Sequence, residues 1–332
     1  MIRCMARRRL VKGGLYALAA GFLMLVVLGV GIGLSLSSKH AKRWPATAAF
    51  FQAIAIRLAV GEVPEHTVLP TRVYGTRHGE PLVIEPFQPA RTNGLGVLLL
   101  VSGSWKSSTN SIRPWILNPL LRRGYTVFAV CHLSQPRATI MEIAEDMNRA
   151  VRHVRHHAQE FGIDPSRLGV TGGSAGGHLS LMLATRGGPG NPTAADPIDR
   201  ESSAIQAAAI FYPVTDLLNL GTSTENLGDG GPPKSFVQAF GPGATNLTLW
   251  KGIGRDTSPI YHVHSNLPPT LIYHGDADTL VPLDQSQRYQ AETRRLGART
   301  ELVVHPGGGH GWPTMVWDID HFGRWFDEHL RR

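Results

Sequence analysis

Short apolar runs alternate with longer amphipathic stretches through most of the chain. The runs "GVLLLV" at 96–101 and "YTVFAV" at 125–130 have the length and composition of buried strands. Between such runs, the stretch at 139–161 places its apolar positions at helical spacing. Repeated strand and helix units of this kind predict a mainly parallel central sheet with helices on both faces.

The other predicted elements continue this pattern. We expect further strands at 167–172, 205–212, 270–275 and 300–305, and further helices at 114–123, at 284–296 and up to Leu330. Ahead of them, two strand-like runs flank His78 and Gly79, which predicts a turn between two strands. Residues 215–265 interrupt the alternation with a stretch rich in glycine and proline that shows no clear period. A segment of that length inside a domain is typical of a lid, so we predict a lid-like insertion.

The N-terminal region differs from the rest of the chain. No charged residue occurs between Lys12 and Lys39, and the apolar run at 15–36 is long enough to cross a bilayer as a helix. A cleaved signal peptide is the alternative, but the run exceeds a usual signal core and no A-x-A-like site follows it. Basic residues before the run favour a cytoplasmic N-terminus and an extracytoplasmic body. We therefore expect a basic segment at 1–14, a single transmembrane anchor at 15–36, a linker with a short apolar helix at 37–66 and a catalytic domain at 67–332.

The formal net charge of +8 belongs to this N-terminal region. Nine of the 33 basic residues lie before Val60, and no acidic residue precedes Glu62. The remainder therefore carries 24 basic against 25 acidic residues, so the body lacks the basic surface that nucleic-acid binding requires. The two cysteines, Cys4 and Cys131, lie on opposite sides of the predicted anchor and form no disulfide framework.

The stretch "GVTGGSAGGHLSLM" carries the first chemical signal. Gly172 to Gly176 match G-x-S-x-G, with a predicted strand before the match and a predicted helix after it. A serine in that context lies on a strained turn that projects its hydroxyl above the sheet, so Ser174 is a candidate nucleophile.

A histidine and a carboxylate follow two later strands. His310 comes after the strand at 300–305, and Asp278 comes after the strand at 270–275, with Asp276 as a rival on the same loop. A histidine can take the serine proton, and a carboxylate can fix the imidazole tautomer. The chain order Ser174, Asp278, His310 and the placement of all three after strands predict a catalytic triad.

Acyl transfer also needs donors for a developing oxyanion. The Ala175 amide, at the start of a helix, is one candidate. The second donor is expected from the loop "SGSWKSS" after the strand at 96–101, where either Gly103 or Ser104 can turn its amide toward the site.

These motifs resemble the α/β-hydrolase superfamily over roughly residues 70–330. Within it, the chain resembles the esterase and lipase group that includes hormone-sensitive-lipase-like and bacterial feruloyl-esterase-like enzymes, and it is similar to the catalytic domain of prolyl-oligopeptidase-type peptidases. The resemblance is carried by "DPSRLGVTGGSAGGHLSLM", "HGDADTLVP" and "GGGHGW". It implies an α/β-hydrolase fold, Ser174 as nucleophile, Asp278 in preference to Asp276, and His310 as base.

The resemblance has two departures. Many relatives carry H-G-G-G-W at the oxyanion loop, where this chain has Val101-Ser102-Gly103-Ser104-Trp105. The strand "VFAVCHLS" also lacks the usual acidic or tyrosine-arginine ending. Both departures affect the shape of the pocket and therefore the range of substrates.

Other constellations carry less weight. His153, His156 and His157 have a spacing that suits a metal, but arginines interleave with them and no HExxH pattern accompanies them, so we expect a solvated helix face. No phosphate-binding loop of the G-x-x-x-x-G-K-[ST] type occurs.

The sequence therefore predicts a serine hydrolase without metal or organic cofactor, acting on small-molecule esters. The alternatives are a peptidase for short peptides and an inactive membrane-anchored binding protein.

Overall fold

The structure is a computed structural model, and it describes residues 64–331. The predicted basic segment at 1–14, the predicted anchor at 15–36 and nearly all of the linker at 37–66 lie outside the described residues. Within the described part, no helix combines the length and the hydropathy that a bilayer-spanning helix needs.

Strands and helices alternate along the described chain as the apolar pattern predicts. The strands are β1 (His66–Val68), β2 (Arg72–Arg77), β3 (Glu80–Pro89), β4 (Gly96–Leu100), β5 (Thr126–Val130), β6 (Leu168–Gly173), β7 (Ala207–Phe211), β8 (Thr270–Gly275) and β9 (Thr300–His305). The α-helices are α1 (Pro114–Arg122), α2 (Ile140–His156), α3 (Ala175–Arg186), α4 (Leu247–Asp256), α5 (Asp284–Arg295) and α6 (Met315–Leu330). Helix α2 is shorter than predicted, because residues 157–162 form turns that end with Gly162 at φ +62°.

The strands of the described chain form one sheet in the order β1-β3-β5-β4-β6-β7-β8-β9, with β2 paired to β3. Strands β5, β4, β6, β7, β8 and β9 run parallel to one another, whereas β3 is antiparallel to β5. The carboxyl ends of the parallel strands therefore share one edge, which is where ligand-binding loops of open parallel sheets lie.

Helices cover both faces of the sheet, so the central strands are buried except at Gly173, the last residue of β6. Strands β4, β5 and β7 have no exposed residue, which explains why their sequences read as continuous apolar runs. Alternate residues of β4 enter different cores. Leu98 packs with residues of α2 and α3, and Leu99 packs with residues of α1 and α6. The fold class predicted from the sequence is confirmed for this sheet and its helices.

The segment at 215–265 packs against the body through short helical pieces. It contains α4 and three 3₁₀ helices, Val237–Phe240, Pro242–Thr245 and Pro259–His262. The Trp250 side chain is fully buried and contacts Phe240 edge to face, with ring centroids 4.9 Å apart. The lack of a clear sequence period reflects these short pieces, since a 3₁₀ turn is too brief to show one.

Candidate active site

Ser174 occupies the sharp turn between β6 and α3. Its backbone has φ +54° and ψ −118°, a region that residues with a side chain rarely adopt. Its amide donates to the Phe211 carbonyl at 3.1 Å, and its carbonyl accepts from His178 in the first turn of α3 at 2.8 Å. These bonds hold the strained residue in place and point its hydroxyl out at the carboxyl edge of the sheet.

The glycines around Ser174 allow strand and helix to approach. A Cβ at Gly172 would lie 2.6 Å from the backbone carbon of Gly176, and a Cβ at Gly176 would lie 2.6 Å from the Leu100 carbonyl oxygen. Gly173 differs, because its nearest neighbours would be 3.6 Å away, an ordinary contact. Gly172 and Gly176 are therefore required, because a side chain at either position would clash with backbone atoms. Backbone atoms cannot move aside as the end of a flexible side chain can.

We expect Gly172→Ala to destabilise the fold by about 2–3 kcal/mol, since an added methyl would push the start of α3 away from β6. Gly173→Ala is the matched control, one residue along the same strand, and should change the unfolding free energy by about 0.5 kcal/mol or less. Urea unfolding of both variants measures the difference. Equal stabilities would contradict this account of the glycines.

The side chains of His310, Ser174 and Asp278 form a continuous hydrogen-bonded chain. His310 Nε2 lies 2.9 Å from Ser174 Oγ, and His310 Nδ1 lies 2.7 Å from Asp278 Oδ2. Because the ionised carboxylate only accepts, Nδ1 carries a proton and Nε2 is free to accept from the serine hydroxyl. The Asp278 side chain is fully buried, while that of His310 is 24% exposed. The three predicted residues thus meet, although 136 positions separate Ser174 from His310.

Local contacts keep Asp278 ionised. Burial by itself raises the pKa of the Asp278 carboxyl, but the nearby His274 imidazole, the His310 imidazole and the Val281 amide outweigh burial and hold the pKa well below its usual range. The amides of Leu280 and Val281 both donate to Oδ1 at 3.0 Å. His274 Nε2 lies 2.7 Å from the Val281 carbonyl and 3.6 Å from Asp278 Oδ2.

Asp276, the rival carboxylate on the loop, has a different partner. Its Oδ1 accepts from the Gly307 amide at 2.6 Å, which ties the loop after β8 to the loop after β9. Of the two candidate carboxylates, only Asp278 contacts the His310 imidazole in the structure.

The loop after β4 makes a tight turn with two strained residues. Ser104 and Trp105 have φ of +53° and +55°, and the Lys106 amide donates to the Gly103 carbonyl at 2.9 Å. Two consecutive positive φ angles are typical of a type I′ turn. The Gly103 amide donates to the Lys106 carbonyl at 3.0 Å and so has no free donor. This differs from the sequence prediction, which left Gly103 and Ser104 as equal candidates.

Two backbone amides beside Ser174 have no partner among residues 64–331. They belong to Ser104 on the turn and to Ala175 at the first position of α3. Both residues border the same cavity as Ser174. Free amides at a helix start and on a positive-φ turn are the donors that an oxyanion would need.

Trp105 anchors this turn in the interior. Its indole N–H donates to His178 Nδ1 at 3.2 Å, and His178 Nε2 donates to the Thr257 carbonyl at 2.7 Å. Complete burial, only partly offset by the bond to Thr257, lowers the pKa of His178 to about 4, so the ring stays neutral and can accept from the indole. The turn, helix α3 and the segment at 215–265 are thereby connected through one buried imidazole.

The two departures from the family pattern contact each other. His132, in the strand ending "VFAVCHLS", accepts at Nε2 from the Ser102 hydroxyl at 2.9 Å, and its Nδ1 donates to the Leu133 carbonyl. Burial lowers the pKa of His132 to about 4, which favours this neutral tautomer. The Ser102 carbonyl in turn accepts from the Gly176 amide at 3.2 Å. The Ser102–His132 hydrogen bond therefore links the loop after β4 to the segment after β5.

The comparison with known protein families agrees with this geometry. The BD-FAE family model matches residues 88–292, which include Ser174, Asp278 and the loop after β4. The chain belongs to the BD-FAE family. The match covers more than half of the chain and all the parallel strands except β9, which lies at the edge of the sheet.

Several relatives of this BD-FAE chain are named as esterases or ester hydrolases. Esterase LipQ of Mycobacterium tuberculosis is 31% identical over 63% of this chain, and the chain spans only 48% of that relative. Ethyl acetate hydrolase of Pseudomonas putida is 26% identical over 89% of this chain and 91% of its own length. Among solved structures, a truncated carbohydrate esterase from gut microbiota matches 82% of this chain and all of its own, with a TM-score of 0.65 at 22% identity, which shows a shared fold.

Tyr212 is a site residue that the sequence analysis missed. It follows β7 with φ +31°, and its ring centroid lies 4.4 Å from that of His310. Burial raises the pKa of its hydroxyl to about 12, so the ring is neutral at ordinary pH and packs beside the imidazole. Its place directly after a central strand of this BD-FAE fold was the signal that could have identified it.

The prediction of a solvated face for His153, His156 and His157 is wrong for His153 alone, since His156 is exposed and His157 is half-buried. His153 is buried, with both ring nitrogens unpartnered in the described structure, and burial lowers its pKa to about 4. Its ring lies 4.3 Å from that of His157. Within residues 64–331 of this BD-FAE chain, no group of three or more His, Cys, Asp or Glu side chains is arranged to hold a metal ion.

Proposed function

We propose that the protein is a serine hydrolase that cleaves carboxylic esters through an acyl-enzyme. The observation that carries this proposal is the position of the His310 imidazole, 2.9 Å from the Ser174 hydroxyl and 2.7 Å from the buried Asp278 carboxylate. A serine hydroxyl is a weak nucleophile by itself, and an oriented base at this distance is what activates it.

In the proposed mechanism, Ser174 Oγ attacks the ester carbonyl carbon while His310 Nε2 takes the hydroxyl proton. The carbonyl oxygen becomes an oxyanion, which accepts hydrogen bonds from the Ser104 and Ala175 amides. As the carbon–oxygen bond to the alcohol breaks, His310 gives its proton to the leaving oxygen. Asp278 stabilises the imidazolium that exists between these two transfers.

Water then completes the cycle by the same route. It enters the place of the alcohol, His310 takes one of its protons, and the resulting hydroxide attacks the acyl carbon. When the second tetrahedral intermediate collapses, the proton returns to Ser174 Oγ and the carboxylic acid leaves. Every group in this sequence belongs to the chain, the ester or water, so the proposal requires no cofactor.

The two relatives named above support esters as substrates. Esterase LipQ and ethyl acetate hydrolase are both named for ester hydrolysis, and the second matches nearly the whole length of both chains. Ester bonds are also the easier chemical target, because an alkoxide is a better leaving group than an amide nitrogen.

The proposal is tested with the purified full chain and a fluorophosphonate probe. We expect one probe per chain, mapped to Ser174 by peptide analysis, together with turnover of p-nitrophenyl acetate that falls in proportion to labelling. A prolyl-peptide reporter should be cleaved more slowly than the ester. Absence of both labelling and ester turnover in correctly folded protein would favour a binding protein, and faster peptide cleavage would favour a peptidase.

A further inference from the structure

Two cavities meet at Ser174. Three residues border both of them, namely Ser104, Ser174 and Leu280, so the nucleophile lies at the boundary between the two spaces. An ester has two arms, the acyl group and the alcohol, and a tetrahedral intermediate on Ser174 would direct them into different spaces. The sizes of the two cavities therefore bear on which esters fit.

The first cavity is small, with a volume of about 40 Å³. By the same measure it is more than ten times smaller than the second cavity that borders Ser174, so it suits the smaller arm of an ester. Its walls are mostly apolar and come from the oxyanion turn, from the loop after Asp278 and from the segment at 215–265, including Trp105, Leu217, Leu220, Phe236 and Val281.

Hydrogen bonds fix the walls of the small cavity. Gln285, which is almost fully buried, accepts from the Thr215 and Asp216 amides at 2.9 and 2.8 Å and donates to the Asn219 carbonyl at 2.8 Å. The Ser223 hydroxyl donates to the Leu280 carbonyl at 2.6 Å. Expanding this cavity would break buried hydrogen bonds, so its size sets a limit on the group inside it.

The second cavity is much larger, with a volume of about 580 Å³, within the range of small-molecule sites. It extends from Ser174 past His310 and Tyr212 toward α1 and α6, and apolar side chains dominate its far end: Ile112, Trp115, Ile116, Met315 and Ile319. His310 borders this cavity and does not border the small one.

The chemistry assigns one arm of the ester to each space. His310 must give its proton to the leaving oxygen, so the alcohol lies on the side of the nucleophile that His310 borders. The acyl group then occupies the small cavity. We propose that the preferred substrates are esters of short acyl groups with bulky apolar alcohols. This inference rests on the proposed ester hydrolysis and adds the substrate class.

Two isomeric esters test the assignment directly. Hexyl acetate and ethyl hexanoate have the same atoms and similar hydrophobicity, and both release a primary alkanol of similar acidity. They differ in which arm is long. With the full chain, we expect kcat/KM for hexyl acetate to exceed that for ethyl hexanoate at least about tenfold, because the hexanoyl chain exceeds the small cavity. Equal values, or a preference for ethyl hexanoate, would overturn the assignment.

A pair of leucine variants tests whether the wall of the small cavity limits the acyl group. Leu220 borders the small cavity, whereas the half-buried Leu218 of the same stretch does not. Leu220→Ala should reduce the preference for hexyl acetate about tenfold, and Leu218→Ala should leave it within about twofold. The preference is a ratio measured on one sample, so partial loss of folded protein cancels. An unchanged ratio in Leu220→Ala would contradict the role of this wall.

Comparing the two isomers with p-nitrophenyl acetate shows whether a failure concerns the acyl limit or ester hydrolysis itself. If neither isomer nor p-nitrophenyl acetate is cleaved by folded protein, ester hydrolysis itself fails. If p-nitrophenyl acetate is cleaved but the isomers are cleaved equally, ester hydrolysis stands and the acyl limit is wrong.

Discussion

Replacing Ser174 by alanine is expected to lower kcat/KM for p-nitrophenyl acetate by about 10⁴-fold or more. The variant keeps the cavities and the free amides of Ser104 and Ala175, but it has no oxygen that can form an acyl-enzyme. Steady-state kinetics on the purified variant measure the loss, and the remaining rate reports what binding and the amides achieve without the nucleophile.

The control for this experiment is a serine outside the site. Ser166 is exposed in the loop before β6, and Ser166→Ala should retain activity within about twofold. Thermal unfolding of both variants excludes misfolding as the cause. A Ser174→Ala variant that keeps the rate of the unmodified chain would remove Ser174 from the mechanism.

Asp278→Asn is expected to lower kcat by about 10³–10⁴-fold, with a smaller change in KM. An amide nitrogen facing His310 Nδ1 donates where the carboxylate accepts, so the imidazole proton moves to Nε2 and the ring no longer accepts from Ser174. The loss of charge also removes stabilisation of the imidazolium. Stopped-flow or steady-state measurement of kcat on p-nitrophenyl acetate gives the effect.

Asp276→Asn provides the matched control for this substitution. It makes the same chemical change two residues earlier on the same loop, at a carboxylate that contacts the Gly307 amide and not His310. We expect it to keep kcat within about threefold. Equal losses in the two variants would show that the loop, and not the charge beside His310, determines the rate.

The positions of Ser174, Asp278 and His310 could be predicted because they depend on topology. Each follows a strand of one parallel sheet, and the carboxyl ends of such strands must lie together. The glycines around Ser174 identified the candidate nucleophile, and the chain order of the three residues indicated a triad. The turn at His78 and Gly79 was predicted differently, from the strand-like runs on either side of it, and both residues have positive φ.

Features that depend on individual torsion angles and on contacts across the fold could not be predicted in this way. Which of Gly103 and Ser104 has a free amide is decided by the φ angles of two neighbouring residues. The bond between Ser102 and His132 joins two loops that no sequence period connects. His153 is buried because of what packs over α2, whereas its spacing alone fits a surface position equally well.

The turn at Ser104 and Trp105 has a consequence for the timing of catalysis. Its strained backbone is held by the buried Trp105–His178–Thr257 chain. In the proposed mechanism, the Ser104 amide is therefore oriented during folding and does not have to be oriented again in each turnover. An ester arriving at Ser174 encounters dipoles that already point to where negative charge will develop, so little reorientation energy is added to the barrier of the chemical step.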